Sequence, residues 1–375
     1  MARRTLLLYA GVDSSDFSHA DFESSRRYHR PLYLAFGVGL ALSVAVYSFL
    51  AWSRIGDRLW GAVDELGWAG SAAVFAALVV TAAELVRLPL TFWRGHLRER
   101  RFGFSTQTAG GWLRDRAKAF SVGLVLATGA WTAAVALGRA FPASWAAPAA
   151  AASALAVLVL SFLGPVVFEP LFNSFQPLAD ARLAAELRSL AADAGVPVRD
   201  VLVADASRRT SKVNAYVSGL AATRRVVLFD TLLASADERE VKLIVAHELG
   251  HRRDRHPAKA TALAMLGAAL AVLVLWAALG TLSPRDLPVA LLILIGLEVC
   301  GMPLGAALSR RLERAADRCS LELTRDLEAF ERAHVELARR NLSDLDPPRL
   351  AYLLMFTHPT PPERLALGRG WAANS

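Results

Sequence analysis

IVAHELGHRRDRH, residues 244–256, carries three of the chain's eight histidines beside a glutamate and runs straight into a long apolar stretch. His247 and His251 are four residues apart, so on a helix both imidazoles leave one face and can share a single tetrahedral ion. Glu248, next to the first of them, is placed to act as general base on a bound water, the arrangement an HExxH helix builds around zinc. Two exposed histidines on an ordinary amphipathic helix are the other reading of so short a pattern. His256 does not fit as a third ligand. The three-histidine form of the motif needs glycine seven and histidine ten residues after the first histidine, and those positions hold Asp254 and Pro257. His256 is expected to be a polar residue at the end of the helix.

The apolar stretch that follows is one of six. Of 375 residues 54% are apolar, more than a soluble domain of this length needs to fill its core. The surplus gathers in segments 33–52, 72–92, 120–137, 145–162, 262–279 and 289–308, long enough as helices to cross a hydrocarbon layer of ~30 Å. The third and fourth are alanine-rich, separated by RAFPAS, and are expected to form a helical hairpin. Basic residues in the short loops give the orientation. Arg3, Arg4, Arg26, Arg27 and Arg30 precede the first segment. Arg94, Arg98, Arg100, Arg101, Arg114, Arg116 and Lys118 lie between the second and third. The alternate loops hold only Arg54 and Arg58, then Arg139, then Arg285. Every rich segment then falls on one side, the cytoplasmic one, together with residues 171–258 and the C-terminal tail. The formal charge of +8 is thus an orientation signal, and no nucleic-acid partner is expected. MARRTLLLYAGVDSSDF at the N-terminus has too short an apolar core for a cleavable signal. Cys300 and Cys319 build neither a disulfide framework nor a CxxC pair.

The chain divides accordingly into an arm over 1–31, four spans over 32–170, a folded insert over 171–258, two spans over 259–308 and a C-terminal region over 309–375. The expected fold class is mainly α: a polytopic helical bundle or barrel of six spans with a cytoplasmic zinc-protease domain containing a small β-sheet. In the insert, LADARLAAELRSLAADAG has helical periodicity and ends in glycine. VRDVLVAD, NAYVSG and RRVVLFD are short strand-like runs between turn residues. A carboxylate from a second helix can complete a His₂Glu site with an open position for water. Glu313 in SRRLERAADRCS is the candidate, with Asp317 one turn on as hydrogen-bond acceptor for a ligand imidazole. Pairing of both acids with the nearby arginines is the alternative. Their place directly after a span that packs near the HELGH helix favours the metal.

HELGH, two spans and then SRRLERAAD resemble the membrane zinc metallopeptidases that include the type I CAAX prenyl endopeptidases, gluzincins related to HtpX. SKVNAYVSGL, RRVVLFDTLL, THPTPPERL, ERRFGFSTQT and EPLFNSFQPLAD match further family segments in order, so the resemblance covers roughly 90–370. It implies His247, His251 and Glu313 as ligands of one zinc ion per chain, Glu248 as catalytic base and Asp317 behind the ligands. It further implies Asn214 as a contact to the substrate backbone, with His358 and Arg364 flanking the reacting carbonyl. The family fold implies helices around a water-filled chamber, into which Glu84, Arg87 and Glu298 could face; a local Glu84–Arg87 pair is an equal alternative. The eukaryotic members have seven spans against six here.

The expected function is therefore that of an integral-membrane zinc metalloendopeptidase processing the C-termini of prenylated proteins or peptides. A multi-pass protein of a bacterial plasma membrane is expected from the Ala- and Arg-rich composition, with the catalytic domain facing the cytoplasm. The alternatives are quality-control proteolysis of membrane proteins without lipid recognition, as in HtpX-like relatives, and a zinc-binding membrane protein without proteolysis. The partners are a peptide or protein substrate, prenylated or not, and the lipid bilayer.

Overall fold

A computed structural model of the chain describes residues 16–219 and 223–374; Arg3, Arg4 and most of the N-terminal stretch read above lie outside them. Among the described residues, six helical stretches are long and apolar enough to cross a membrane. Helix α1 (His19–Trp52) opens on a Ser18–Asp21 capping box, so helix begins well before the expected start of the first span. After α2 (Arg54–Gly61), α3 (Gly67–Phe92) leads through a π-turn into α4 (Arg98–Arg101). Helices α5 (Ala109–Ala140) and α6 (Ala146–Leu163) follow, with a second π-turn into α7 (Glu169–Phe172). The expected α5–α6 hairpin is only partly formed. The two are joined by a short turn, but α5 packs chiefly on α3, whereas α6 packs along α11 (His256–Leu279). Both α6 and α11 are rich in alanine, and small side chains let two membrane helices approach closely. Neither buries any residue of its most apolar window inside the protein. Leu155, Val159 and Phe162 on one, with Leu266, Leu270 and Trp276 on the other, are exposed, a surface that only lipid tolerates.

The insert holds a four-stranded sheet in the order β1-β2-β4-β3. The strands are β1 (Phe175–Pro177), β2 (Asp200–Ala204), β3 (Ala215–Ser218) and β4 (Arg225–Phe229). Only β2 and β4 are parallel; β1 and β3 are antiparallel edges. Helix α8 (Ala181–Asp193), capped by Asp180, lays Leu183, Leu187 and Ala191 at helical spacing on the sheet. Helix α9 (Asp230–Leu233) and α10 (Glu238–Arg253) close the same core with Leu232, Val241, Val245 and Leu249. Two clamps fix the chain entering β3. Lys212 Nζ donates to Tyr28 Oη at 2.8 Å and Glu99 Oε2 at 2.7 Å, and the Asn341 amide brackets the Val213 peptide at 3.1 Å on each side.

The last span does not end where its apolar stretch does. Helix α12 (Leu287–Thr324) continues unbroken through Glu313 and Asp317, so both acids ride on a rod held in the membrane. Helices α13 (Leu327–Arg340), α14 (Arg349–Met355) and α15 (Pro361–Ala372) then fold back over it. Between α1, α3 and α12 lies a cavity of about 580 Å³ lined by Arg87, Arg94, Arg116 and Glu298. Glu84 is buried and takes both contacts from Arg116 of α5, at 2.7 and 2.6 Å. Arg87 lies 4.0 Å from Glu84 and donates instead to Ala83 O and Ser43 Oγ. The tighter pair is thus between helices, with the local Glu84–Arg87 contact at its outer limit, and together they satisfy a carboxylate in a membrane helix.

Helix α10 crosses α12 at Gly250. A Cβ built there would lie 2.9 Å from Cys319 Cβ and 3.2 Å from Ala316 Cα, and α12 cannot yield at a backbone atom. The glycine of HELGH is therefore the contact that lets the histidine helix reach the carboxylate helix. Gly250→Ala should cost roughly 1–3 kcal/mol by overpacking and lower the thermal midpoint. Gly267→Ala, with nothing within 4 Å, should not lower it.

Candidate active site

His247 and His251 face Glu313 across this crossing. Their Nε2 atoms are 3.1 Å apart, and they lie 3.3 and 3.4 Å from the two Glu313 carboxylate oxygens. Bonds of about 2.0–2.1 Å to a tetrahedral ion place ligand atoms roughly 3.3 Å from each other, so the triangle has the size of three ligand corners. Glu313 Oε2 is buried and faces His247 Nε2 at 3.3 Å without a well-formed hydrogen bond, so it can serve a cation. Among the described residues these three form the one group close enough to share a metal ion. The donor set and its spacing fit a divalent metal.

Asp317 stands behind His247. It is fully buried, accepts from His247 Nδ1 at 2.9 Å, and receives Arg364 through Nε at 2.9 Å and through Nη2. Burial alone lowers the His247 pKa, but its bonds to Asp317 and Glu313 raise it to about 9. A metal ion at Nε2 needs that nitrogen unprotonated, so binding there competes with protons. Glu248 is half-buried on the cleft wall, and burial raises its carboxyl pKa.

The cleft has a volume of about 600 Å³, and Asn214, His247, Glu248, His358 and Arg364 all line it. Asn214 ends the loop into edge strand β3; its side chain accepts from Ala215 N at 3.0 Å and its carbonyl from Phe229 N at 3.1 Å. By the antiparallel alternation, Ala215 and Val217 then turn their backbone groups to the free edge. Arg252 Nε occupies the Val217 carbonyl at 3.1 Å, leaving the Ala215 carbonyl and the Val217 N–H without a backbone partner among the described residues. His358 is mostly exposed, with Nε2 3.3 Å from Glu313 Oε1. Arg364, only 16% exposed, binds Asp317 through Nε and Nη2, with Nη2 also 3.2 Å from His247 Nδ1. The His-Pro…Arg loop thus folds onto α12 and gives its two polar residues different partners.

Three contributors escaped the sequence reading. His334 is buried on α13, 3.8 Å from Asp317, and burial pushes its pKa down to about 3. Arg310 holds the loop before His358 through Tyr352 O at 3.1 Å and Phe356 O at 2.6 Å. Asn341 clamps the entry to β3. The signals in the sequence were a histidine on the apolar face of LEAFERAHVELARR and the place of Arg310 within SRRLERAAD. His256 lies outside the ligand triangle, against the far side of His251.

A membrane helical bundle closing on a His₂Glu cluster defines a membrane metallopeptidase. Residues 177–372 match the model of Peptidase family M48, and residues 14–174 match the CAAX prenyl protease N-terminal region, described as having five membrane helices. The chain belongs to peptidase family M48 and is a multi-pass membrane metalloprotease acting on peptides or proteins. Among the described residues α1, α3, α5 and α6 are the spans in the N-terminal region. The chain is 30% identical over 310 residues to the uncharacterized metalloprotease YhfN of Bacillus subtilis, covering 78% of this chain and 71% of that one. It is 32% identical over 183 residues to CAAX prenyl protease 1 of Saccharomyces cerevisiae, covering 48% of this chain and 40% of the yeast protein. The fold is that of S. mikatae Ste24p, with a TM-score of 0.80 at 24% identity over 98% of this chain and 93% of that one.

Arg364→Met should leave buried Asp317 with His247 as its remaining charged partner, a loss of up to about 3–5 kcal/mol for one partner of a buried pair. His358→Ala, at an exposed position, should change stability by no more than about 0.5 kcal/mol. Thermal unfolding of the metal-free protein in detergent measures both, and equal midpoints would contradict the burial of the pair.

Proposed function

We propose that the chain is a zinc endopeptidase that trims prenylated proteins or peptides at the cytoplasmic face of a bacterial plasma membrane. The observation that carries the zinc assignment is the His247–His251–Glu313 triangle, of tetrahedral size and with its carboxylate buried. A zinc ion held there would acidify a water and polarise a peptide carbonyl. Glu248 would take the proton of the attacking water and pass it to the departing amine. An extended peptide would pair with the Ala215 carbonyl and the Val217 N–H, with Asn214 at its start. His358 would donate to the oxygen of the tetrahedral intermediate. Arg364 would act through Asp317, which holds the ring of His247. The prenylated substrate is supported by the names of several relatives and by the N-terminal family match. The cytoplasmic orientation is supported by the arginines at the ends of α1, α3 and α5.

Glu313→Ala should lose both zinc and hydrolysis, whereas Glu248→Gln should keep about one zinc per chain and lower kcat by roughly 10²–10⁴-fold. His358→Ala should keep zinc and lower kcat by about 10²–10³-fold with little change in KM. Elemental analysis beside steady-state kinetics checks all three; full zinc occupancy in Glu313→Ala would refute the ligand set. For the substrate, purified protein in detergent should cleave a C-terminally farnesylated peptide faster than its unmodified counterpart. Equal rates would favour quality-control proteolysis instead. For the orientation, a single cysteine near residue 235, in a background lacking Cys300 and Cys319, should resist a membrane-impermeant thiol reagent on intact cells. One placed near Arg139 should react.

A further inference from the structure

The sequence reads His256 as a polar residue at the end of the histidine helix, but that helix ends at Arg253, and His256 instead opens α11, buried against a metal-ligand candidate. Helix α10 ends at Arg253, and Arg255 turns the chain in the left-handed region at φ 56°. A non-glycine residue held there pays a steric penalty and needs a surrounding reason. The turn brings the first residue of membrane helix α11, His256, back onto His251. The two Nδ1 atoms are 2.9 Å apart, the rings meet edge-on at 5.0 Å, and His256 is 5% exposed. Its other nitrogen lies 3.8 Å from Asp254 Oδ2.

The nitrogens of His251 are thereby assigned. Nε2 faces His247 and Glu313, and Nδ1 faces His256. A metal-bound imidazole is neutral, so with Nε2 on the metal the proton sits on Nδ1. Two facing Nδ1 atoms make one hydrogen bond only if one ring donates and the other accepts. His256 must then accept at Nδ1 and carry its own proton on Nε2, on the side of Asp254. His247 is held in the same way by Asp317, a carboxylate on α12. Partners of this kind fix the tautomer and ring direction of a ligand histidine.

We propose that His256 is the positioning residue for His251, accepting its Nδ1 proton, so that the first residue of a membrane helix holds one corner of the metal site. This rests on the zinc reading above. Full-length protein in detergent, stripped of metal, is titrated with zinc against a chromophoric chelator and with Co²⁺ followed by visible absorption. His256→Ala and His256→Phe, the latter keeping the ring volume, should each raise the zinc Kd by about 10–100-fold and alter the Co²⁺ bands. His256→Asn, whose Oδ1 can accept where Nδ1 did, should bring Kd and bands back toward wild type. Wild-type Kd and bands in His256→Phe would overturn the proposal, as would His256→Asn binding no better than His256→Phe. If the unsubstituted protein itself takes up neither ion, the metal reading fails instead.

Discussion

The close crossing of α10 over α12 is the contact on which the rest depends. One helix carries two imidazoles and the other carries two carboxylates, each pair one turn apart, so a single crossing matches them two by two. His247 lies between Glu313 and Asp317, and His251 takes the other oxygen of Glu313. The match needs the helix backbones to approach closely, which a glycine permits and a side chain does not. Everything outside the crossing holds it or faces it. Arg364 and His334 pack behind Asp317, Arg310 ties down the loop that carries His358, and Lys212 with Asn341 fixes the edge strand that borders the cleft.

How much of this the sequence disclosed depended on the range of the interaction. HELGH is local: the spacing alone put both histidines on one face. Glu313 and Asp317 were reachable because a span leads directly to them, although nothing in the sequence said that the span and the acids form one helix. Six apolar segments were legible from length and composition. Which of them touch was not, and the alanine-rich α6 chose α11, a partner distant in sequence, over its neighbour α5. Glu84 presented the same difficulty. A residue three positions away offered an opposite charge, but the bond went to Arg116 on another helix, a choice only the packing makes. Arg364 was tied to the site by its motif alone, and its attachment to Asp317 needed the fold.

The charges in the membrane half follow the same rule as those at the site. A carboxylate removed from water costs several kcal/mol unless it is paired and hydrogen-bonded. Glu84 meets that condition with a two-point contact to Arg116. Glu298, exposed and without an ion pair among the described residues, lines the 580 Å³ cavity with Arg87, Arg94 and Arg116. A polar cavity between α1, α3 and α12 gives Arg87 and Glu298 somewhere other than lipid to face.

Helix α12 has a mechanical meaning of its own. Its 38 residues make a shaft about 57 Å long at 1.5 Å per residue, with one end anchored in lipid and the other bearing Glu313. A bilayer whose thickness does not match an apolar helix makes that helix tilt, and a tilt at the anchored end becomes a sideways displacement at the far end. Pro303 lies along the shaft, where the missing amide hydrogen bond concentrates bending. A change of tilt at the anchored end would therefore reach the carboxylate corner of the site, and Pro303 is the place along the shaft with an amide hydrogen bond missing.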